Sequence, residues 1–157
     1  MILYFAYWSN MSRAVMRRHA PNARPLGVAA LPNHRFVIAA DGYASVEARR
    51  YATVYGVLWR LTPRDRATLD AWENVVAGLY RAFMLPVRQA GRRRMALTYV
   101  ARGARPAGLA RPGYMELVSA AALEWQLPHA YIVSLRRFVP RGWGDSGPRE
   151  REEFAWT

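Results

Sequence analysis

The 157-residue chain contains no cysteine and no lysine. Without cysteine there is no disulfide, no thiolate nucleophile and no zinc–thiolate centre, and cysteine usage identifies no compartment. The three histidines, His19, His34 and His129, are isolated and form no i, i+4 pair, so no metal site is expected. Acidic residues number 11 against 23 basic ones, every one an arginine, for a net charge of +12. A chain that holds phosphates ordinarily draws on lysine as well as arginine. Its complete absence points instead to the codon composition of a GC-rich genome, with the charge serving solubility. The arginines are scattered along the sequence, and the tightest cluster, Arg92-Arg93-Arg94, reads as a solvated hairpin tip after Gln89-Ala90-Gly91. A nucleic-acid role would need them gathered on one face, so no nucleic-acid partner is expected. No apolar run approaches the ~18–20 residues that span a bilayer. Met1 to Trp8 lacks the basic start and small-residue cleavage site of a signal peptide. No membrane partner and a cytoplasmic location are therefore expected.

What is present is a sizeable core. Apolar residues make up 52% and aromatic ones 13%, which excludes a disordered chain and fits one domain. Residues 2–7 read as a first strand, and Ser9 or Ser12 can cap a short helix carrying Met16, Arg17 and His19. Short β-prone runs follow: Leu26 to Leu31, Arg35 to Ala40, Tyr43 to Ala48 and Val54 to Leu61. Pro32-Asn33 and Asp41-Gly42 are expected as turns between them. Thr62-Pro63-Arg64-Asp65 starts a helix with a cap, a proline at the first helical position and an acid near the positive end of the dipole. Leu69, Trp72 and Val76 mark its buried stripe, and Asn74 suits a left-handed closing position. Leu79 to Val87 and Arg94 to Ala101 read as a hairpin, Tyr114 to Trp125 as a helix, and Pro128 opens a last helix to Phe138. From Val139 glycine, proline and charge take over. Residues 139–157 are expected as a flexible tail, or one that docks through Trp143, Phe154 and Trp156. Gly142-Trp143-Gly144-Asp145-Ser146-Gly147 has the spacing of a dinucleotide fingerprint but neither the strand before it nor the helix after it, and is set aside.

Two segments carry the chemistry. In Tyr4-Phe5-Ala6-Tyr7-Trp8-Ser9-Asn10-Met11 a buried apolar strand breaks into Ser and Asn, where main-chain N–H groups lose their ladder partners and can face a ligand. In Leu69-Asp70-Ala71-Trp72-Glu73-Asn74-Val75 an amphipathic helix ends on a glutamate with apolar flanks. Such burial raises a carboxylate pKa and makes it a better base. The other acids fall in turns, helix starts, exposed faces or the tail. An amide-lined turn and a half-buried carboxylate suffice to hold a zwitterion and move one proton. The plainer alternative is a helix-end Glu73 paired with one of the many arginines.

These two segments resemble the Tyr-Gly-Ser-Asn turn and the Leu-Asp-x-x-Glu-Gly-Val helix end of the gamma-glutamylcyclotransferase family. Gly42-Tyr43-Ala44-Ser45-Val46, Val54-Tyr55-Gly56-Val57-Leu58-Trp59, Gly78-Leu79-Tyr80-Arg81, Pro112-Gly113-Tyr114-Met115 and Leu127-Pro128 recur in similar order, so the likeness spans roughly residues 3 to 138. It implies an α+β fold, a small mixed, largely antiparallel β-barrel with flanking helices, over residues 1–138. It implies a cofactor-independent release of an amine or amino acid from a gamma-glutamyl compound, with 5-oxoproline as the other product. Glu73 would be the general acid/base, Tyr7, Trp8, Ser9 and Asn10 would grip the substrate, and Tyr80, Tyr99 and Tyr114 would line the site. The partner is a small gamma-glutamyl substrate, and the chain a monomer or homodimer. Trp8 departs from the family glycine: either it takes positive φ under strain, or φ stays negative and the indole forms part of the wall. In the second case the preferred substrate changes. The alternative function is a non-catalytic small-molecule-binding protein of the same fold, its cleft altered by Trp8.

Overall fold

The β-prone runs of the first sixty residues all become sheet, but in fewer and longer strands than their turn signals suggest. The computed structural model describes residues 1–73, 78–102 and 109–140. Strand β1 (Ile2–Ala6) leads through a 3₁₀ turn (Ser9–Met11) into helix α1 (Arg13–His19), whose start is capped by Ser12, the Oγ accepting from Val15 N. Strands β2 (Arg24–Ile38) and β3 (Ala44–Leu61) then form one long antiparallel hairpin. Asp41-Gly42 is its turn, as expected, closed by Gly42 N to Ala39 O at 2.9 Å. Gly42 has φ +86, and a Cβ there would lie 2.6 Å from Arg111 Cγ.

Pro32-Asn33 is not a turn but an irregularity within β2, and the two runs on either side of it are one strand. The register jumps from Pro32↔Thr53 to His34↔Ala48. Proline cannot donate to the ladder, and Asn33 adopts φ 58, a left-handed conformation that asparagine tolerates. Its Oδ1 takes the Tyr51 N–H at 3.1 Å, so a side chain replaces the missing main-chain acceptor. The runs 43–48 and 54–61 likewise merge into β3, with Tyr51 at φ 67 absorbing the bend.

Helix α2 (Pro63–Trp72) has the reciprocal cap its sequence promises: Asp65 N donates to Thr62 Oγ1 and Thr62 N to Asp65 Oδ2, each at 3.1 Å. Strands β4 (Tyr80–Gln89) and β5 (Arg92–Ala101) form the second hairpin, turning at Ala90 (φ 48) and Gly91 (φ 76). Helices α3 (Tyr114–Glu124) and α4 (His129–Leu135) close the described chain. Among the described residues no helix is long and apolar enough to cross a membrane. Of the expected tail, residues 141–157 lie outside the described residues, as does Asn74 with its expected closing role.

The strands close into a barrel in the order β1-β3-β2-β4-β5, sealed where β5 pairs parallel with β1 at Tyr4↔Leu97. Every other ladder is antiparallel. The α+β barrel with flanking helices expected from the sequence is thus the fold observed. Phe5, opposite Leu58, enters the interior over Gly56. Outside, Trp125 packs edge-on to Trp59 at 6.1 Å and donates from Nε1 to Met11 O at 2.6 Å, holding α3 against the 3₁₀ turn. A Cβ at Gly56 would fall 2.2 Å from Ala6 O and 2.9 Å from the Phe5 ring. Gly56→Ala should therefore cost at least about 1–3 kcal/mol by overpacking, read as a lower midpoint in urea unfolding.

Candidate active site

Capping fixes where α2 begins, and its length then decides what its last turn delivers. Glu73 closes the helix, its N–H bonded to Leu69 O at 2.9 Å. Leu69 is fully buried, and Trp72 stacks on the His19 ring at 4.2 Å, so α2 and α1 grip each other beside the barrel. The Glu73 carboxyl turns inward and the residue is only 8% exposed. Asn10, wholly buried at the end of the 3₁₀ turn, donates through Nδ2 to Glu73 Oε1 at 3.4 Å and to Tyr4 Oη at 2.9 Å. The two segments singled out in the sequence meet here.

Among the described residues no arginine pairs with this carboxylate: the ion pairs there are Arg13–Glu124, Arg35–Glu47 and Arg66–Asp70. The helix-end glutamate paired with an arginine is therefore not what forms among the described residues. Burial pushes the Glu73 carboxyl well above its ordinary range; the Asn10 bond pulls it partly back and the Asp41 charge adds to the rise.

The tyrosines surround this group. Burial raises the phenol pKa of Tyr4, Tyr7, Tyr80, Tyr99 and Tyr114, and the Glu73 charge adds to each. Each phenol is also tied to the scaffold. Tyr7 donates to Tyr99 O at 2.7 Å, and Tyr80 to Ala44 O at 3.0 Å, while Tyr114 Oη accepts from Ala44 N at 3.3 Å. Ala44 thus pins the starts of β4 and α3 to the start of β3. Tyr99 donates to Asp70 Oδ1 at 2.6 Å, so its proton braces α2 against β5. These phenols keep their protons at neutral pH and offer a ligand mainly oxygen lone pairs.

Trp8 settles at φ −124, outside the strained left-handed region. Of the two conformations expected for it, the negative one is found. Its indole is 5% exposed and sits edge-on between the rings of Tyr7 at 4.5 Å and Tyr80 at 5.7 Å. The turn after it closes with Met11 N to Trp8 O and Ser12 N to Ser9 O, both 3.0 Å. The N–H groups of Ser9 and Asn10 lie outside those bonds, as the first donors of any helical turn do. The Asn10 Oδ1 is buried with no hydrogen-bond partner among the described residues, a condition that costs about 1–3 kcal/mol until something donates to it. Donors for an anion and acceptors for a cation therefore stand together beside a carboxyl with a raised pKa.

Tyr4 and Asp70 were not assigned roles from the sequence. Asp70 had a local signal, since residues 70 and 73 are neighbours on one helix face. Tyr4 had none, because its approach to Tyr99, 5.7 Å between rings, depends on the β1–β5 pairing.

The fold and site place this protein among small closed barrels with a carboxylate delivered by a flanking helix. Residues 53–135 match the AIG2-like family, more than half of the chain, and the chain belongs to that family. The resemblance read from the sequence is borne out. A solved structure named gamma-glutamyl cyclotransferase superposes with a TM-score of 0.84 at 24% identity, over 98% of this chain and 96% of that one. An uncharacterized protein from Homo sapiens gives 0.83 at 24% identity, over 99% and 98%. An AIG2-like protein from Mus musculus gives 0.57 at 19% identity, over 68% and 80%. At these identities the likeness is one of fold. No curated protein matches the chain.

A carboxyl whose folded pKa is raised stabilises the fold while protonated. That contribution is fully present below the ordinary carboxylate range and is lost as pH rises through the raised value. Glu73→Gln should then melt with the wild type at acid pH and above it at neutral pH. The expected gain is at least about 2–4 °C, the shift that ~1 kcal/mol gives a domain of this size. Thermal unfolding across the pH range checks this, and a constant offset would contradict it.

Proposed function

We propose that this protein is a cyclotransferase that acts on a gamma-glutamyl amine or amino acid and forms 5-oxoproline. One observation carries the reading: a buried Glu73, free of any arginine among the described residues, hydrogen-bonded to Asn10 of the amide-bearing turn. A structure named gamma-glutamyl cyclotransferase shares the fold, which supports the substrate class.

The chemistry needs only the substrate and these side chains. The α-amine of the gamma-glutamyl group attacks its own side-chain carbonyl carbon, closing a five-membered ring. Holding the chain folded makes the attack unimolecular, and good orientation is worth on the order of 7–11 kcal/mol. Ionised Glu73 takes the proton from the attacking nitrogen as the N–C bond forms. It then gives a proton to the departing nitrogen as the old C–N bond breaks, and ends ionised again. The free N–H groups of Ser9 and Asn10 serve the substrate carboxylate or the developing oxyanion. Asn10 Oδ1 and the phenol oxygens of Tyr7, Tyr80 and Tyr114 accept from the amine, while Tyr99 acts through Asp70 as a brace. No step calls for a cofactor or metal.

Trp8 supports a second reading, in which the indole between Tyr7 and Tyr80 has turned the same site to binding without turnover.

Incubation with a panel of gamma-glutamyl amino acids and amines, scored for 5-oxoproline, separates the two. Wild type should turn over at least one, and Glu73→Gln should lower kcat by roughly 10²–10⁴. Undiminished turnover in that variant removes the assigned base. The rate kcat/KM should climb with pH above the ordinary carboxylate range, since the base acts only when ionised and its pKa is raised. Turnover confined to Trp8→Gly favours the binding reading.

A further inference from the structure

Some of the arginines that are scattered in sequence gather in space. Arg24 and Arg60 face each other directly across the β2–β3 ladder, and Arg88 and Arg93 across β4–β5. Like charges opposite one another in a sheet are unfavourable. The two pairs belong to one end of the barrel. Gln89 Nε2 donates to Leu26 O at 2.9 Å, stitching the β4–β5 turn to the start of β2, and Arg94 Nη1 donates to Gln89 Oε1 at 3.2 Å. With Arg92 beside the turn, six arginines ring this end. None of them forms an ion pair among the described residues. The acid nearest along the chain, Asp65, is buried and spent on Thr62 and on the Asn22 N–H.

Successive strand residues point to opposite faces, so Arg92 and Arg94 leave one side of the hairpin while Arg93, with Arg88, leaves the other. A grooved rod of phosphates meets both, and the guanidinium fork suits phosphate oxygens. We propose that this end of the barrel binds the phosphate backbone of duplex nucleic acid without reading its sequence. That goes beyond the cyclotransferase reading and is independent of it, since the Glu73 site opens at the opposite ends of these strands.

The test is fluorescence anisotropy of the full chain with a labelled mixed-sequence DNA duplex between roughly 50 and 200 mM salt. About four phosphate contacts would give a log–log slope near −3.6 and a roughly 10²-fold loss over that range. Arg92→Ser/Arg93→Ser, both exposed, should lessen the slope by about two without lowering the melting temperature, since Arg93 leaves a like-charge pair. Arg49→Ser/Arg50→Ser, an equal loss of charge on the β3 arm, should leave the slope as it was. A flat salt response, equal losses in both variants, or binding to vesicles of anionic phospholipid without binding to the duplex would overturn the proposal.

Discussion

Strand β1 has hydrogen-bonded neighbours on both sides, antiparallel β3 and parallel β5, and the parallel contact at Tyr4↔Leu97 is what turns an open sheet into a barrel. Its consequences run outward from there. Because β1 is held on both edges, the turn that follows it is fixed in place, with the Trp8 indole edge-on to Tyr80 at the start of β4. Tyr99, near the end of β5, gives its carbonyl to Tyr7 and its hydroxyl to Asp70 of α2. One residue therefore ties the end of β1 to the helix that delivers Glu73. A five-residue strand with no side-chain ligand of its own ends up setting the distance between the two halves of the site.

The buried carboxylate is the more demanding feature of that site. In a protein with 23 arginines the cheapest way to keep Glu73 would be an ion pair, which would lower its pKa and weaken it as a base. Among the described residues, what surrounds it instead are phenols and one amide, groups that hydrogen-bond without offsetting charge. Desolvation then outweighs the Asn10 bond, and the carboxyl is held well above its ordinary range. The orphaned Asn10 Oδ1 belongs to the same logic: buried polar groups without partners are rare, and they concentrate where a ligand completes the set.

Much of this was legible because it is local. The Thr62–Asp65 cap, the Asp41-Gly42 and Ala90-Gly91 turns and the prominence of Glu73 each rest on a few adjacent residues whose chemistry has one good outcome. What escaped was set by partners far along the chain. Pro32-Asn33 carries every mark of a turn, yet Tyr51 offers the one N–H that lets Asn33 bulge and the strand continue. The conformation of Trp8 was open until Tyr7 and Tyr80 were seen on either side of its indole. Tyr99 was expected to face a ligand, and only the placement of α2 reveals Asp70 as the taker of its proton. The arginines repeat the lesson: positions 24 and 60 are remote from each other and from the 88–94 hairpin in sequence, and strand pairing brings them to one end.

That segregation of charge raises the question of whether the arginine end governs the carboxylate end. Positive charge nearby would depress the Glu73 pKa and oppose the effect of burial. Strands rise roughly 3.3 Å per residue, so five residues of β1 already separate the two ends by about 17 Å. The Debye length at physiological salt is about 8 Å, and exposed charges two such lengths away are largely screened. The influences on Glu73 are local ones: its own burial first, then the Asn10 bond and the charge of Asp41. Both ends can therefore answer to different demands, one to desolvation and the other to mutual repulsion of unpaired guanidinium groups. Any partner bound at the arginine end would change the site by moving β1 or β5, not by its field.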